Sequence, residues 1–271
     1  MAEPFQPSVT VVADSISPFG HRLTSMLVTM HRWILAELNT HRAFSRSSGS
    51  SRAIPVTKTL QRLADQPVLP LVWTTAQPGM QGGAPLDPDQ QRQAVYIWLN
   101  ARDNAVHAAE QLLDLRVHKS IVNRLLEPFM SHTALITSVE WNNFFEQRCS
   151  TQAQPEMEAV ARLMRDAHRG STPVELKPDE WHLPFIQDDE RDLDRRLLVR
   201  LSAARCARTS YLNHFGQRSH DDDVDLYQFL RHAEPPHWSP LEHVATPDPF
   251  CTVGNFPGWR QLRHDDEMNQ P

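Results

Sequence analysis

"SVTVVADSI" at residues 8–16 and "RLTSMLVTM" at 22–30 are two β-branched, roughly alternating runs joined by the turn-rich "SPFGH" of 17–21. Successive side chains of a strand point to opposite faces, so this alternation predicts two paired strands, each with one covered face. Helical patterns surround the pair. "HRWILAELNT" (31–40) sets Trp33, Ile34 and Leu38 at the spacing of a short helix. Further on, Asp87 is a fitting N-cap with Pro88 in the first turn. Val95, Trp98, Ala101, Ala105, Ala108, Leu112 and Leu115 then hold one face. A second helix, "HKSIVNRLLEPF" (118–129), is stopped by Pro128, "HTALITSVEW" (132–141) reads as a strand, and "WNNFFEQR" (141–148) as a short helix. From Pro155, Met157, Val160, Ala161 and Met164 keep helical spacing. Residues 188–211 read as one long helix with acids at its start and arginines later, as the helix dipole favours. Asp221–Asp223 read as the solvated start of another. Strands interleaved with long helices predict one α+β domain over residues 1–271, with helices packed on a small mixed or antiparallel sheet.

Composition narrows the function classes. The chain has 271 residues, 40% hydrophobic and 22% charged, with formal charge −6. A net acidic protein is not built to coat nucleic acid. Its three cysteines, Cys149, Cys206 and Cys251, show no CxxC spacing, and its 14 histidines form neither HxxxH nor HExxH, so no disulfide framework or metal site is expected. No apolar run approaches membrane-spanning length and the first residues do not read as a signal peptide, so a cytoplasmic protein is expected. There is neither GxGxxG nor GxxxxGK[ST]. Phosphate, if bound, must be held by arginines and loop amides.

One stretch departs from the acidic average. "NTHRAFSRSSGSSRAIP" (39–55) carries one histidine, three arginines and five serines, and no Asp or Glu occurs between Glu37 and Asp65. It reads as a loop whose local positive potential and hydroxyls suit a small polyanion. Elsewhere "EWNNFFEQR" sets Asn143 and Arg148 among aromatics, "VNRLLEP" carries Arg124, and "SAARCARTSY" has Arg205 and Arg208, which answer nearby acids in the plainest reading.

Taken together these segments resemble the flavin-dependent thymidylate synthases (ThyX). That family carries a loop RHRxxSxNxxSxR; here 40–52 reads "THRAFSRSSGSSR", so His41, Arg42, Ser45, Ser50 and Arg52 match, while Thr40 replaces the first Arg and Ser47 the Asn. In most members the segments resembling "ARTSY" (207–211) and "HWSPLEH" (237–243) precede this loop; here they follow it. That order is similar to a circularly permuted actinobacterial and phage branch, as are "NTHR", "SSRAIP" and "GNFPGW" (254–259). The resemblance spans roughly residues 8–264.

The resemblance implies a homotetramer with shared active sites, binding FAD and a uracil nucleotide monophosphate (dUMP or UMP). Such an enzyme methylates C5 of the base, with methylenetetrahydrofolate as carbon donor, reduced flavin as hydride source and NADPH regenerating the flavin. It places Arg148 against the pyrimidine as the catalytic group. Ser50, Ser51, Arg52 and Arg124 fall on nucleotide positions, with Glu37, Ser47 and Gly49 beside them. His41, Arg42, Asn143, Ser210, His237, Ser239 and Glu242 fall on flavin positions. Ser47 and Gly49 are smaller than the family's usual Asn and Ala, which implies room for a ribose 2′-hydroxyl, as in the UMP C5-methylase of polyoxin nucleoside-antibiotic synthesis. A uracil-nucleotide hydroxymethylase, a silent flavin-binding paralogue and a basic-loop RNA binder are the alternatives.

Overall fold

The computed structural model describes residues 4–268; residues 1–3 and 269–271, part of the expected domain, lie outside the described residues. The opening strand pair forms as expected: β1 (Ser8–Ile16) and β2 (Arg22–His31) run antiparallel, with a register shift between Val11 and Ala13. β2 is the centre of a five-stranded sheet of order β3-β4-β2-β1-β5, built with β3 (Ser45–Ser48), β4 (Ser131–Ser138) and β5 (Val174–Glu175). Only the β1–β5 pairing is parallel, which makes the sheet mixed.

The sheet is covered on both faces, and its period of two decides what each cover meets. Met26, Val28 and Met30 of β2 and Ala134 and Ile136 of β4 point one way. There they meet Met157, Val160, Ala161 and Met164, the apolar stripe of α6 (Pro155–Gly170) read from the sequence, and Trp141 and Phe144 at the start of α5 (Asn142–Arg148). Leu135 points the other way, towards Val199, Ala203 and Cys206 of α7 (Arg195–Arg208) and Tyr227 of α8 (His220–His232). A separate cluster joins α2 (Val56–Asp65), α3 (Pro88–Asp114) and α4 (Lys119–Leu126) through Val56, Leu63, Ala109, Val122 and Leu126. α3 starts as read: Asp87 accepts from the amides of Asp89 at 2.9 Å and Gln90 at 3.0 Å. Of the expected stripe, Trp98, Ala105 and Leu112 pack against this cluster beside the fully buried Ala109, whereas Ala101 and Leu115 are exposed.

Two expectations are corrected. Residues 188–211 are not one helix. Asp188–Glu190 form a separate 3₁₀ turn, and α7 begins only after Asp194, whose side chain caps the amides of Arg196 and Leu197. The reason is electrostatic: Arg205 donates to both oxygens of Glu190, at 2.6 and 2.7 Å. A continuous helix would hold residues fifteen apart about 22 Å from each other. Likewise Asp223 is not solvated; it is fully buried, accepts from Arg205 Nε at 2.7 Å and pairs with Arg208.

A second polar system crosses the sheet on the α7 side. Ser15, His182, Ser25, Thr137, His243 and Ser47 form an unbroken chain of side-chain hydrogen bonds, with successive distances of 2.9, 2.8, 2.6, 2.8 and 3.0 Å. All six residues are buried. Burial pushes both imidazoles down to about 3, so they are neutral and each links one donor to one acceptor. A two-stranded sheet of β6 (Ala245–Pro247) and β7 (Trp259–Gln261) follows the 3₁₀ turn Ser239–His243 that delivers His243 to this chain.

Candidate functional site

The basic stretch read as a loop is built around a strand. After β2, a 3₁₀ turn (Arg32–Ile34) and α1 (Leu35–Leu38) sink Ile34 and Leu38 into the core and bring the chain to Thr40. Phe44 anchors the far side among Trp141 and Phe144. Between these anchors and Ser50 the chain pairs with β4 as β3, from Ser45 opposite Thr137 to Ser48 opposite Ala134. At about 3.3 Å per residue, β3 separates its two ends by roughly 10 Å. The expected site residues divide between those ends.

At the first end Arg148, in the last turn of α5, reaches back over α1. Its Nε donates to His41 Nε2 at 3.0 Å, Nη1 to Glu37 Oε2 at 3.4 Å and Nη2 to Thr40 Oγ1 at 3.4 Å. Accepting at Nε2 requires a neutral His41 with its proton on Nδ1. Burial holds its pKa below the ordinary value, and the charges of Arg148 and Arg46 add to the effect. Phe144 packs edge-on against the imidazole at 4.9 Å. Thr40, His41, Arg42 and Asn143 line a cavity of about 280 Å³ here. Arg148 and Glu37 border a neighbouring one of about 720 Å³, walled by Trp33 and Trp98.

At the second end Gly49, Ser50, Ser51, Ser210 and His237 line a cavity of about 980 Å³ whose lining holds no carboxylate. Asn123, buried in α4, fixes this turn by donating to the carbonyls of Ser51 at 2.7 Å and Ile54 at 2.9 Å. Thr209 caps α7 at φ 53°, unusual for a β-branched residue, and turns the chain so that Ser210 borders the same cavity.

The remaining candidates stand apart. Ser47 is turned inward to His243, and Glu242 accepts from Ser45 at 2.8 Å and from Arg263 at 2.6 Å. Arg52, Arg124 and Ser239 are exposed and line none of the three cavities, Arg124 pairing with Glu127 at 2.9 Å. Sequence reasoning missed His243 and His182; their signal is only the small polar residues at alternate strand positions, Ser45, Ser47 and Ser25, which need buried polar partners. Burial raises the thiol pKa of Cys206 and of Cys149. Among the described residues no group of three or more His, Cys, Asp or Glu could hold a metal ion, and no helix is long and apolar enough to cross a membrane.

A comparison with curated proteins returns no match. Among solved structures the chain is similar to the UMP/dUMP methylase PolB from Streptomyces cacaoi bound with 5-Br UMP. That likeness has a TM-score of 0.52 and 18% identity, and covers 62% of this chain and 91% of that one. The same protein bound with 5-Br dUMP gives a TM-score of 0.50, also at 18% identity, over 62% and 92% of the two chains. The flavin-dependent thymidylate synthase ThyX from Helicobacter pylori, complexed with FAD and dUMP, is more distant, with a TM-score of 0.39 and 18% identity over 54% and 68%. The two PolB likenesses support the fold. Residues 11–174, well over half of the chain, match the family described as thymidylate synthase complementing protein, and the chain is a member of that family, Thy1.

Proposed function

We propose that this protein methylates C5 of a uracil nucleotide in a flavin-dependent reaction, with Arg148 as the group that activates the base. The observation that carries this reading is the Arg148 cluster: a guanidinium on a short helix, oriented by a neutral histidine and bordering the 720 Å³ cavity. C5 of uracil becomes nucleophilic only when negative charge on the ring is stabilised, and a fixed guanidinium supplies that stabilisation in a site poor in water. Membership of the family supports the chemistry.

In this reading Ser50, Ser51 and Arg52 hold the nucleotide phosphate, and His41, Arg42, Asn143, Ser210, His237, Ser239 and Glu242 serve the flavin. The donor set fits an anionic nucleotide-like group: hydroxyls and imidazoles in a large cavity without a carboxylate. FAD, when bound, supplies the hydride that reduces the transferred carbon; methylenetetrahydrofolate is the carbon donor and NADPH the reductant. The chain assembles as a homotetramer with shared sites, which accounts for Arg124 and Ser239 lining none of the cavities of one chain. Titration with FAD, followed by flavin fluorescence, tests the cofactor assignment: saturable quenching is expected, and unquenched flavin at micromolar protein would contradict it.

No cysteine takes part. Replacing Cys149, Cys206 and Cys251 together by Ser or Ala is expected to leave methylation measurable. Loss of product on changing Cys149 alone, in a protein that still binds FAD, would contradict the mechanism.

Ribose acceptance rests on Gly49, since the Ser47 hydroxyl is engaged with His243. A Cβ built on Gly49 meets only Ile54 Cδ1, at 3.9 Å, so alanine fits the protein and its methyl takes space beside the cavity. One added methyl in a closed pocket changes selectivity by about tenfold or more. Gly49→Ala is therefore expected to lower UMP turnover about tenfold relative to dUMP turnover. An unchanged ratio would remove Gly49 from sugar selection.

A further inference from the structure

Between α2 and α3, residues 73–86 form an arm beside the 720 Å³ cavity. It is a tight ribbon. Thr75 N–H donates to the Ala84 carbonyl, Gly83 N–H to the Thr75 carbonyl and Leu86 N–H to the Trp73 carbonyl, each at 2.8 Å. A Cβ on Gly82 would lie 2.9 Å from Thr74 Cβ, and one on Gly83 would lie 3.1 Å from the Thr75 carbonyl oxygen. The two sides of the ribbon therefore close only over glycine. Thr74, Met80, Gln81 and Gly82 line the same cavity as Arg148 and Glu37.

Stem and tip are held unequally. The stem is fixed three times: Leu71 N–H donates to Oε1 of the buried Glu156 at 2.8 Å, Trp98 Nε1 to the Val68 carbonyl at 3.0 Å and His31 Nε2 to the Leu69 carbonyl at 3.0 Å. Beyond Trp73, the bond from Gln81 Nε2 to the Gln152 carbonyl is the only hydrogen bond, among the described residues, that ties the arm to the rest of the chain. Gln152 lies four residues after Arg148, on the segment that joins α5 to α6. Met80, at the tip, is fully exposed although it lines the cavity, where Trp33 and Trp98 form an apolar wall.

We propose that this arm is a lid on the Arg148 cavity. When the Gln81 latch opens, the ribbon swings about its anchored stem and admits a ligand; when it relatches, Met80 lies against that ligand. The inference rests on the proposed function for the ligand's identity, a uracil nucleotide bound beside the flavin. That function needs charge on the ring stabilised by Arg148 in a site poor in water, and a latched cover keeps the water out. Because latch and Arg148 share one short segment, closure is coupled to the group it protects.

Footprinting of the full chain with hydrogen peroxide tests it. Peroxide converts an accessible methionine to its sulfoxide, and peptide mass spectrometry reads each one separately. Met26, Met30, Met157 and Met164 are fully buried and serve as internal standards. Met80 should oxidise far faster than these in the free protein, and about tenfold more slowly with saturating FAD and either UMP or dUMP. Gln81→Glu keeps the side-chain shape but removes the donor, and one lost hydrogen bond shifts the latch by about tenfold. In that variant saturating ligands should protect Met80 little and kcat should fall severalfold, with FAD affinity unchanged. Gln93→Glu, the same change on the exposed side of α3, should retain full protection. Met80 oxidised equally fast with and without the ligands overturns the proposal. So does undiminished protection in Gln81→Glu, since the ligand would then shield Met80 without any lid. Protection without methylation keeps the lid and removes the proposed function; methylation without protection does the reverse.

Discussion

Arg148→Ala is expected to lower kcat by about 10²–10³ while leaving FAD affinity within a few fold, the loss typical of removing one donor aimed at developing charge. The geometry makes the variant informative. One guanidinium contact, to His41, is at 3.0 Å, and the two to Glu37 and Thr40 are at 3.4 Å. The first sets the orientation. The two longer ones are weak enough for a pyrimidine oxygen to displace them at the Nη atoms. Glu37→Gln should therefore cost much less than Arg148→Ala, because it removes a loose partner and keeps the cation. Steady-state kinetics with saturating nucleotide check both. Activity of Arg148→Ala within threefold of wild type would contradict the assignment.

The largest effect on stability is expected at Arg205. It is fully buried and bonded to two carboxylates, Glu190 and Asp223, which are buried as well. Removing the cation while both acids stay behind costs about 3–5 kcal/mol. Domains of this size have only about 5–15 kcal/mol in total. Arg205→Ala should thus show a much lower urea midpoint or fail to accumulate folded.

The same network predicts an acid response. Burial by itself would raise the pKa of Glu190, but hydrogen bonds from Arg205, the Gln187 amide and His220, with the Arg205 charge, override it and lower it from 4.5 to about 2. A depressed carboxylate stabilises fully above its unfolded value and loses that contribution as pH falls through the folded one. About 3 kcal/mol should therefore disappear between pH 4.5 and 2. Urea midpoints at pH 6 and pH 3 capture about 2 kcal/mol of it, and Glu190→Gln, less stable at pH 6, should show a flatter pH dependence. A variant with the wild-type profile would contradict the coupling.

What the sequence disclosed and what it hid follow from the same physics. β1, β2 and α6 were legible because their apolar residues repeat with the period of the element, and α3 because Asp87 and Pro88 mark its start. β3 was not. Its serines carry no apolar alternation, and their inward hydroxyls are matched by His243 and Glu242, some two hundred residues along the chain. The break before α7 was hidden for a related reason: "DDERDLDRR" is an acceptable helix start locally, and only the tertiary pull of Arg205 on Glu190 folds it otherwise. At the site, local motifs marked Arg148, His41 and Ser50, but not that β3 would hold them at opposite ends.

The most direct measurement is the product of turnover. The protein is incubated with FAD, NADPH, methylenetetrahydrofolate and either UMP or dUMP, and the nucleotide is then identified by mass and by the position of the added carbon. The account predicts a C5-methylated uracil nucleotide from at least one of the two, formed about 10²–10³-fold more slowly by Arg148→Ala. Flavin bound and reduced, with both nucleotides recovered unmethylated, would contradict it.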